Sequence, residues 1–118
     1  MKNNNFLESI KCAIAGLHNG FVSEKNFRIY TVIGIIFFIF HLFLKADSYD
    51  YVIFIILSAF VFSAEYMNTA LERAIDRLGE GVHEDFRFAK DVAAAAVLVS
   101  GIAFFLGEGI ILISKFTG

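Results

Sequence analysis

The sequence predicts an all-α integral membrane protein, with an amphipathic surface helix near the N-terminus followed by three transmembrane helices. One observation is composition: 58% of the residues are hydrophobic, mean hydropathy is +0.68 and fifteen are Phe, whereas soluble domains run at about 45–50% apolar. A second is distribution, because the apolar excess falls in three long blocks separated by short charged segments. The third is length, since 118 residues allow one domain and each block approaches the roughly 20 residues that cross about 30 Å of hydrocarbon.

The surface helix is expected over residues 6–21. At about 100° per residue, Phe6, Leu7, Ile10, Ala13, Ile14, Leu17 and Phe21 share an arc of about 120°. Glu8, Lys11, Cys12, His18 and Asn19 take the other side. An apolar stripe toward lipid and a polar face with cations suit a helix lying in the interface. The first span is expected over 28–46, built on the uncharged run from Ile29 to Leu44. Asp47 is an N-cap for the next helix, expected over 50–78, and Gly79 and Gly81 end it. A cytoplasmic loop over 79–87 leads to the third span, expected over 88–114 and continuing past Glu108. The polar start, with charges throughout the next twenty residues, does not resemble a cleaved signal, so the first span is expected to direct insertion.

Orientation follows from the cations. Lys2, Lys11, Lys25, Arg28, Arg73, Arg77, Arg87 and Lys90 fall on one side of the predicted spans, and Lys45 and Lys115 on the other. The cation-rich side is expected to be cytoplasmic, with the N-terminus inside and the C-terminus outside a multi-pass protein of the cytoplasmic membrane. A net charge of −2 without a basic block argues against nucleic acid. A single cysteine, Cys12, excludes an internal disulfide or a cysteine zinc site. His18 reads as a surface residue and His41 as a span residue near the outer interface. Glu80 and His83 match half of a di-iron pattern, but in a loop.

The second span carries the informative pattern. Glu65, Asn68, Glu72 and Asp76 stand at offsets 0, 3, 7 and 11, which places them within an arc of about 80° on one helix face. Acids on a membrane helix are costly and mark function by default, although Arg73 and Arg77 flank the stripe as possible ion-pair partners. At 1.5 Å per residue Glu65 lies about 21 Å from Tyr51 and Glu72 about 32 Å. Glu65 therefore falls at the inner edge of the hydrocarbon and Glu72 among the headgroups. Glu24, Lys90 and Asp91 come to the same level from the other spans. A site there meets a lipid headgroup and a soluble nucleotide together. Phosphoryl transfer needs cations on the phosphate oxygens and a group to orient or deprotonate the attacking hydroxyl. Glu24 and Glu72 suit Mg²⁺, Lys90 a phosphate, and Glu65 the base.

No phosphate-binding glycine loop and no protein-kinase signature set is present. The run Glu65-Tyr-Met-Asn68-Thr69-Ala70-Leu-Glu72-Arg-Ala-Ile-Asp76, with Ala89-Lys90-Asp91 and the alanines after it, resembles the small prokaryotic diacylglycerol kinase/undecaprenol kinase family. The likeness covers nearly the whole chain. It implies a homotrimeric bundle of three-span subunits with active sites shared between neighbours. By position it implies Glu65 as catalytic base, Asn68 as a positioning group, and Glu24 and Glu72 as metal ligands. ATP would lie across Glu24, Glu72 and Asp76, with Lys90 and Asp91 on the nucleotide and Gly81, Val82 and His83 looping over it. Glu65 and Ala94 would meet the lipid. Ala15-Gly16-Leu17, Glu24-Lys25-Asn26-Phe27 and the tail from Gly109 resemble the undecaprenol branch, and Cys12, Phe88 and Ala94 depart from the diacylglycerol branch. The implied activity is phosphorylation of undecaprenol. Diacylglycerol is the alternative acceptor, and a small cation-binding transporter is the reading from another class.

Overall fold

The structure, a computed structural model, describes residues 5–79 and 83–118. It consists of four helices: α1 (Phe6–Ser23), α2 (Lys25–Phe43), α3 (Ser48–Leu78) and α4 (Glu84–Thr117). The last three are long and apolar enough to cross a membrane, which makes the chain a multi-pass membrane protein. At 34 residues α4 is about 51 Å long, and it sets the longest dimension of the chain, 54 Å. One end of the bundle holds α1 and the C-terminus of α3. The far end holds the α2–α3 turn and the C-terminus of α4.

Each helix boundary has a local cause. Asn5 caps α1 by accepting the Glu8 N–H at 2.8 Å. Asp47 and Asp50 form a reciprocal capping box at the start of α3. The Asp50 N–H, with the Lys115 ammonium nearby, holds the exposed Asp47 carboxyl below its ordinary range. Gly79, with φ 86°, closes α3 in the left-handed region that glycine adopts without steric cost. The turn after α2 uses Lys45 at φ 53° instead. There Ala46 N–H bonds the His41 carbonyl at 3.0 Å, so the turn is specified by its hydrogen bonds rather than by a glycine.

One expectation from the sequence needs correction. The loop expected over 79–87 is shorter, because His83 caps α4 and the helix begins at Glu84. His83 Nδ1 accepts the Asp85 N–H at 3.1 Å, and Glu84 and Asp85 suit the positive end of the helix dipole. At its other end α4 runs unbroken through Glu108 to Thr117. His41, two residues before the end of α2, is completely buried and bonded to Glu108.

Side chains on the outer surface of the spans are overwhelmingly apolar. Helix association in lipid gains little from hydrophobic burial and depends on close packing and hydrogen bonds. The α3–α4 contact follows that rule, with Gly107 seated against Leu57. Near α1 the packing centre is Phe27, fully buried between Phe21, Phe62 and Tyr66. No residue of α1 is buried, so its apolar stripe is left for lipid. Tyr66 ties α1 down: its hydroxyl donates to the Leu17 carbonyl at 2.9 Å, and its ring lies over Gly20.

A Cβ at Gly20 would come within 2.6 Å of Tyr66 Cε1. That ring is held 4.1 Å from Phe27 between centroids and has little room to retreat. Overpacking costs roughly 1–3 kcal/mol, against a gain of about 1 kcal/mol from replacing a helical glycine. Gly20→Ala is therefore expected to loosen α1. Amide exchange across residues 6–23 should accelerate while the three spans stay protected, and unchanged exchange in α1 would show that Gly20 does not matter.

Candidate functional site

The site begins with a break in the chain. Glu24 sits between α1 and α2 with extended backbone angles, φ −120° and ψ 123°. Its N–H still bonds the Gly20 carbonyl, while the Arg28 guanidinium caps the Phe21 and Val22 carbonyls. The elbow thus presents a carboxylate where a continuous helix would have turned it elsewhere. Arg73 of α3 reaches it at 3.4 Å.

The stripe on α3 grades from closed to open along the helix. Glu65 is only 3% exposed. A buried carboxylate requires hydrogen-bond donors, and two hydroxyls supply them. Tyr30 of α2 donates at 3.1 Å and Thr69, one turn on, at 3.4 Å. Asn68 is also buried, and its Nδ2 donates to Glu72 at 3.1 Å. Its Oδ1 has no partner. Glu72 and Asp76 then emerge into a cleft of about 620 Å³ lined by Glu24, Thr69, Glu72, Arg73, Asp76 and Arg77. Carboxylates and guanidiniums face the same space. Such a surface takes a ligand that carries phosphates together with cations.

The remaining candidates fall into place unevenly. Lys90 of α4 is drawn to the cleft by a 2.9 Å ion pair with Asp76. Asp91 is exposed and is not part of the cleft lining. His83 serves as the α4 cap, and Gly81 and Val82 lie outside the described residues. A second groove of about 830 Å³ runs between α3 and α4 and is almost wholly apolar. Asn68 reaches its lining together with Ala93, Ala95 and Ala96, whereas Ala94 does not.

Among the described residues no group of three or more metal-ligating side chains is gathered. Glu24 and Glu72 nevertheless open on one cleft. Magnesium asks for one or two carboxylates, with the other positions filled by water and substrate phosphates, so this donor set fits it. Among the described residues neither arginine pairs with an acid of the stripe: Arg73 instead meets Glu24, and Asp76 meets Lys90.

Sequence reasoning missed Tyr30, and it placed Thr69 only inside a motif. Tyr30 stands in a span that is apolar all round, so no face of α2 could be picked out in advance. A lone hydroxyl 35 residues from Glu65 carries no local signal.

Together these features define a multi-pass helical membrane protein with a polar cleft at one end and a buried carboxylate beneath it. The sequence model of the Prokaryotic diacylglycerol kinase family matches residues 11–112, and the chain belongs to that family. A diacylglycerol kinase of Synechocystis is 34% identical over 92% of this chain, which spans 63% of that relative's length. A diacylglycerol kinase of Escherichia coli is 32% identical over 86% of the chain and 83% of its own length. An undecaprenol kinase of Bacillus subtilis is 28% identical, with 84% of this chain and 80% of its own covered. All three relatives carry the names of lipid kinases.

Tyr30→Phe removes one of the two hydroxyls on Glu65 with almost no change in volume. A hydrogen bond to a charged group contributes about 1.5–3 kcal/mol. The variant is expected to lose stability in that range in reversible unfolding from mixed micelles. A loss below about 0.5 kcal/mol would show that the Tyr30 contact is dispensable.

Proposed function

We propose that this chain transfers the terminal phosphoryl group of ATP to the hydroxyl of a membrane lipid, with undecaprenol as the acceptor. The observation that carries the reading is the position of Glu65, buried directly behind a cleft that suits a metal–nucleotide complex. Glu65 accepts the proton of the lipid hydroxyl. The lipid oxygen forms a bond to the γ-phosphorus as the bond to the bridging oxygen breaks, and ADP leaves with that electron pair. Tyr30 and Thr69 keep the carboxylate oriented. Asn68 orients Glu72 through its amide and borders the apolar groove.

Glu24 and Glu72 would hold Mg²⁺, which neutralises charge on the β- and γ-phosphates when bound. Arg73, Arg77 and Lys90 add positive charge around the same oxygens. Lys90 reaches them by exchanging Asp76 for a phosphate, and Asp91 and the 81–83 loop complete the nucleotide site. The lipid chain lies along the spans, with the region of Ala94 beside it.

Among the described residues seven of the nine lysines and arginines fall at the cleft end, which supports a cytoplasmic cleft, an internal N-terminus and residence in the cytoplasmic membrane. A homotrimer with shared sites is supported by the open form of the cleft and by the unpartnered apolar groove between α3 and α4. Undecaprenol is favoured by Cys12, Phe88 and Ala94 and by the tail from Gly109. Diacylglycerol is the second reading, favoured by the names of the Synechocystis and Escherichia coli relatives.

Labelled ATP supplied with each lipid in mixed micelles discriminates these. Faster labelling of the C55 alcohol is expected, preferential labelling of diacylglycerol selects the second reading, and no labelled lipid at all defeats both. Glu65→Gln should lower turnover by at least about 10²-fold while nucleotide binding persists; near-normal turnover would remove Glu65 as the base. Glu72→Gln should weaken nucleotide binding only when magnesium is present, and an unaltered magnesium requirement would count against that ligand.

A further inference from the structure

Far from the cleft, α2 is joined to α4 by a pair that the proposed chemistry does not use. His41 and Glu108 are both 0% exposed, and Nε2 lies 2.5 Å from Oε1. The rings of Tyr51 and Phe54 pack beside the imidazole, with centroids 5.6 and 5.4 Å away. His41 Nδ1 and Glu108 Oε2 have no other partner. Each group therefore depends on the other for relief from burial, and separating them would leave two orphans in a low-dielectric interior.

The placement of the pair gives it a purpose. Tyr30 and His41 are eleven residues apart, which puts them about 16 Å apart along α2 and within about 20° on the same face. One hydrogen-bonds across to Glu65 and the other across to Glu108. Between them the helices are not tightly packed. A cavity of about 80 Å³ is lined by Tyr30, Gly34, Ser58, Gly101 and Phe104 among others. A Cβ at Gly34 or at Gly101 would find no atom within 4 Å. Phe37 packs on Phe104 and Phe105, and Phe38 on Phe54, but these ring contacts border a void and are non-directional, so the directional restraints on α2 are the polar contacts at its two ends.

We infer that the buried His41–Glu108 pair is a positioning clasp, which fixes α2 from the far half of the membrane so that the Tyr30 hydroxyl stays on Glu65. The inference rests on the reading of Glu65 as the base. Replacing a buried ion pair by apolar side chains is often neutral for stability, so the clasp can be removed without orphaning either group.

The test uses full-length protein labelled with 3-fluorotyrosine in bicelles. It has four tyrosines, and the Tyr30 ¹⁹F signal is identified by its loss in Tyr30→Phe. In His41→Leu/Glu108→Leu the Tyr30 signal should move and turnover should fall about tenfold, the size of one lost charged hydrogen bond. Tyr30→Phe should then cost little more in that background, a non-additivity that a merely stabilising pair would not produce. His41→Gln/Glu108→Gln, which retains a hydrogen bond across the helices, should restore both readouts. Lys115→Gln, which breaks far-end ion pairs outside the clasp, should leave the Tyr30 signal in place. If the leucine pair does not accumulate, His41→Phe/Glu108→Met carries the same test at closer volume. An unmoved Tyr30 signal, or a fall in turnover that simply adds to that of Tyr30→Phe, overturns the clasp. A moved signal with turnover normal both in the leucine pair and in Tyr30→Phe upholds the clasp and counts against the proposed role of Glu65.

Discussion

Hydrocarbon offers no water to a polar group, and each one turned into this bundle must find its partner in the protein. That constraint decides what Glu65 can be. It is tolerated in the interior because hydroxyls from α2 and from its own helix meet it, and those hydroxyls hold it still. The same partners that make its burial possible give it a defined direction. Further along α3 the stripe needs progressively less help, as Glu72 keeps one amide donor and Asp76 faces a lysine at the open cleft. One helix face thus passes from a dry, oriented carboxylate to a wet, charged surface within three turns. A reaction between a lipid and a nucleotide needs both environments side by side.

The architecture keeps the two environments adjacent by simple means. A single non-helical residue, Glu24, separates the membrane-lying helix from the first span and turns its own carboxylate toward α3. Tyr66 then secures the surface helix through one hydrogen bond to its backbone and one ring above a glycine. In this member of the diacylglycerol kinase family the polar cleft is built from the Glu24 elbow and from the C-terminal turns of α3.

Much of this could be read from the residues in order. The three apolar blocks give the spans, and the offsets of Glu65, Asn68, Glu72 and Asp76 give the acidic face, because both signals are local and periodic. The start of α4 was harder. Capping by His83 competes with the weight of polar residues from Glu84 to Arg87, and helix geometry prevails over hydrophobicity there. Tyr30, His41 and Glu108 were illegible for another reason. Each is a single polar residue in a uniformly apolar run, and its meaning depends on a partner 35 or 67 positions away. A polar residue in each of two spans at matching depth is a usable sign, but one sequence does not say which helices touch.

α3 runs for 31 residues without a glycine or a proline, and its rigidity makes the reading frame of the helix itself part of the site. One residue inserted midway would turn everything beyond it by about 100° and advance it by about 1.5 Å. Glu65 would then swing away from Tyr30 although no side chain at the site had been altered. Evolution can trade individual side chains along the outer surface of this helix, but it has no soft segment in which to absorb a change of length.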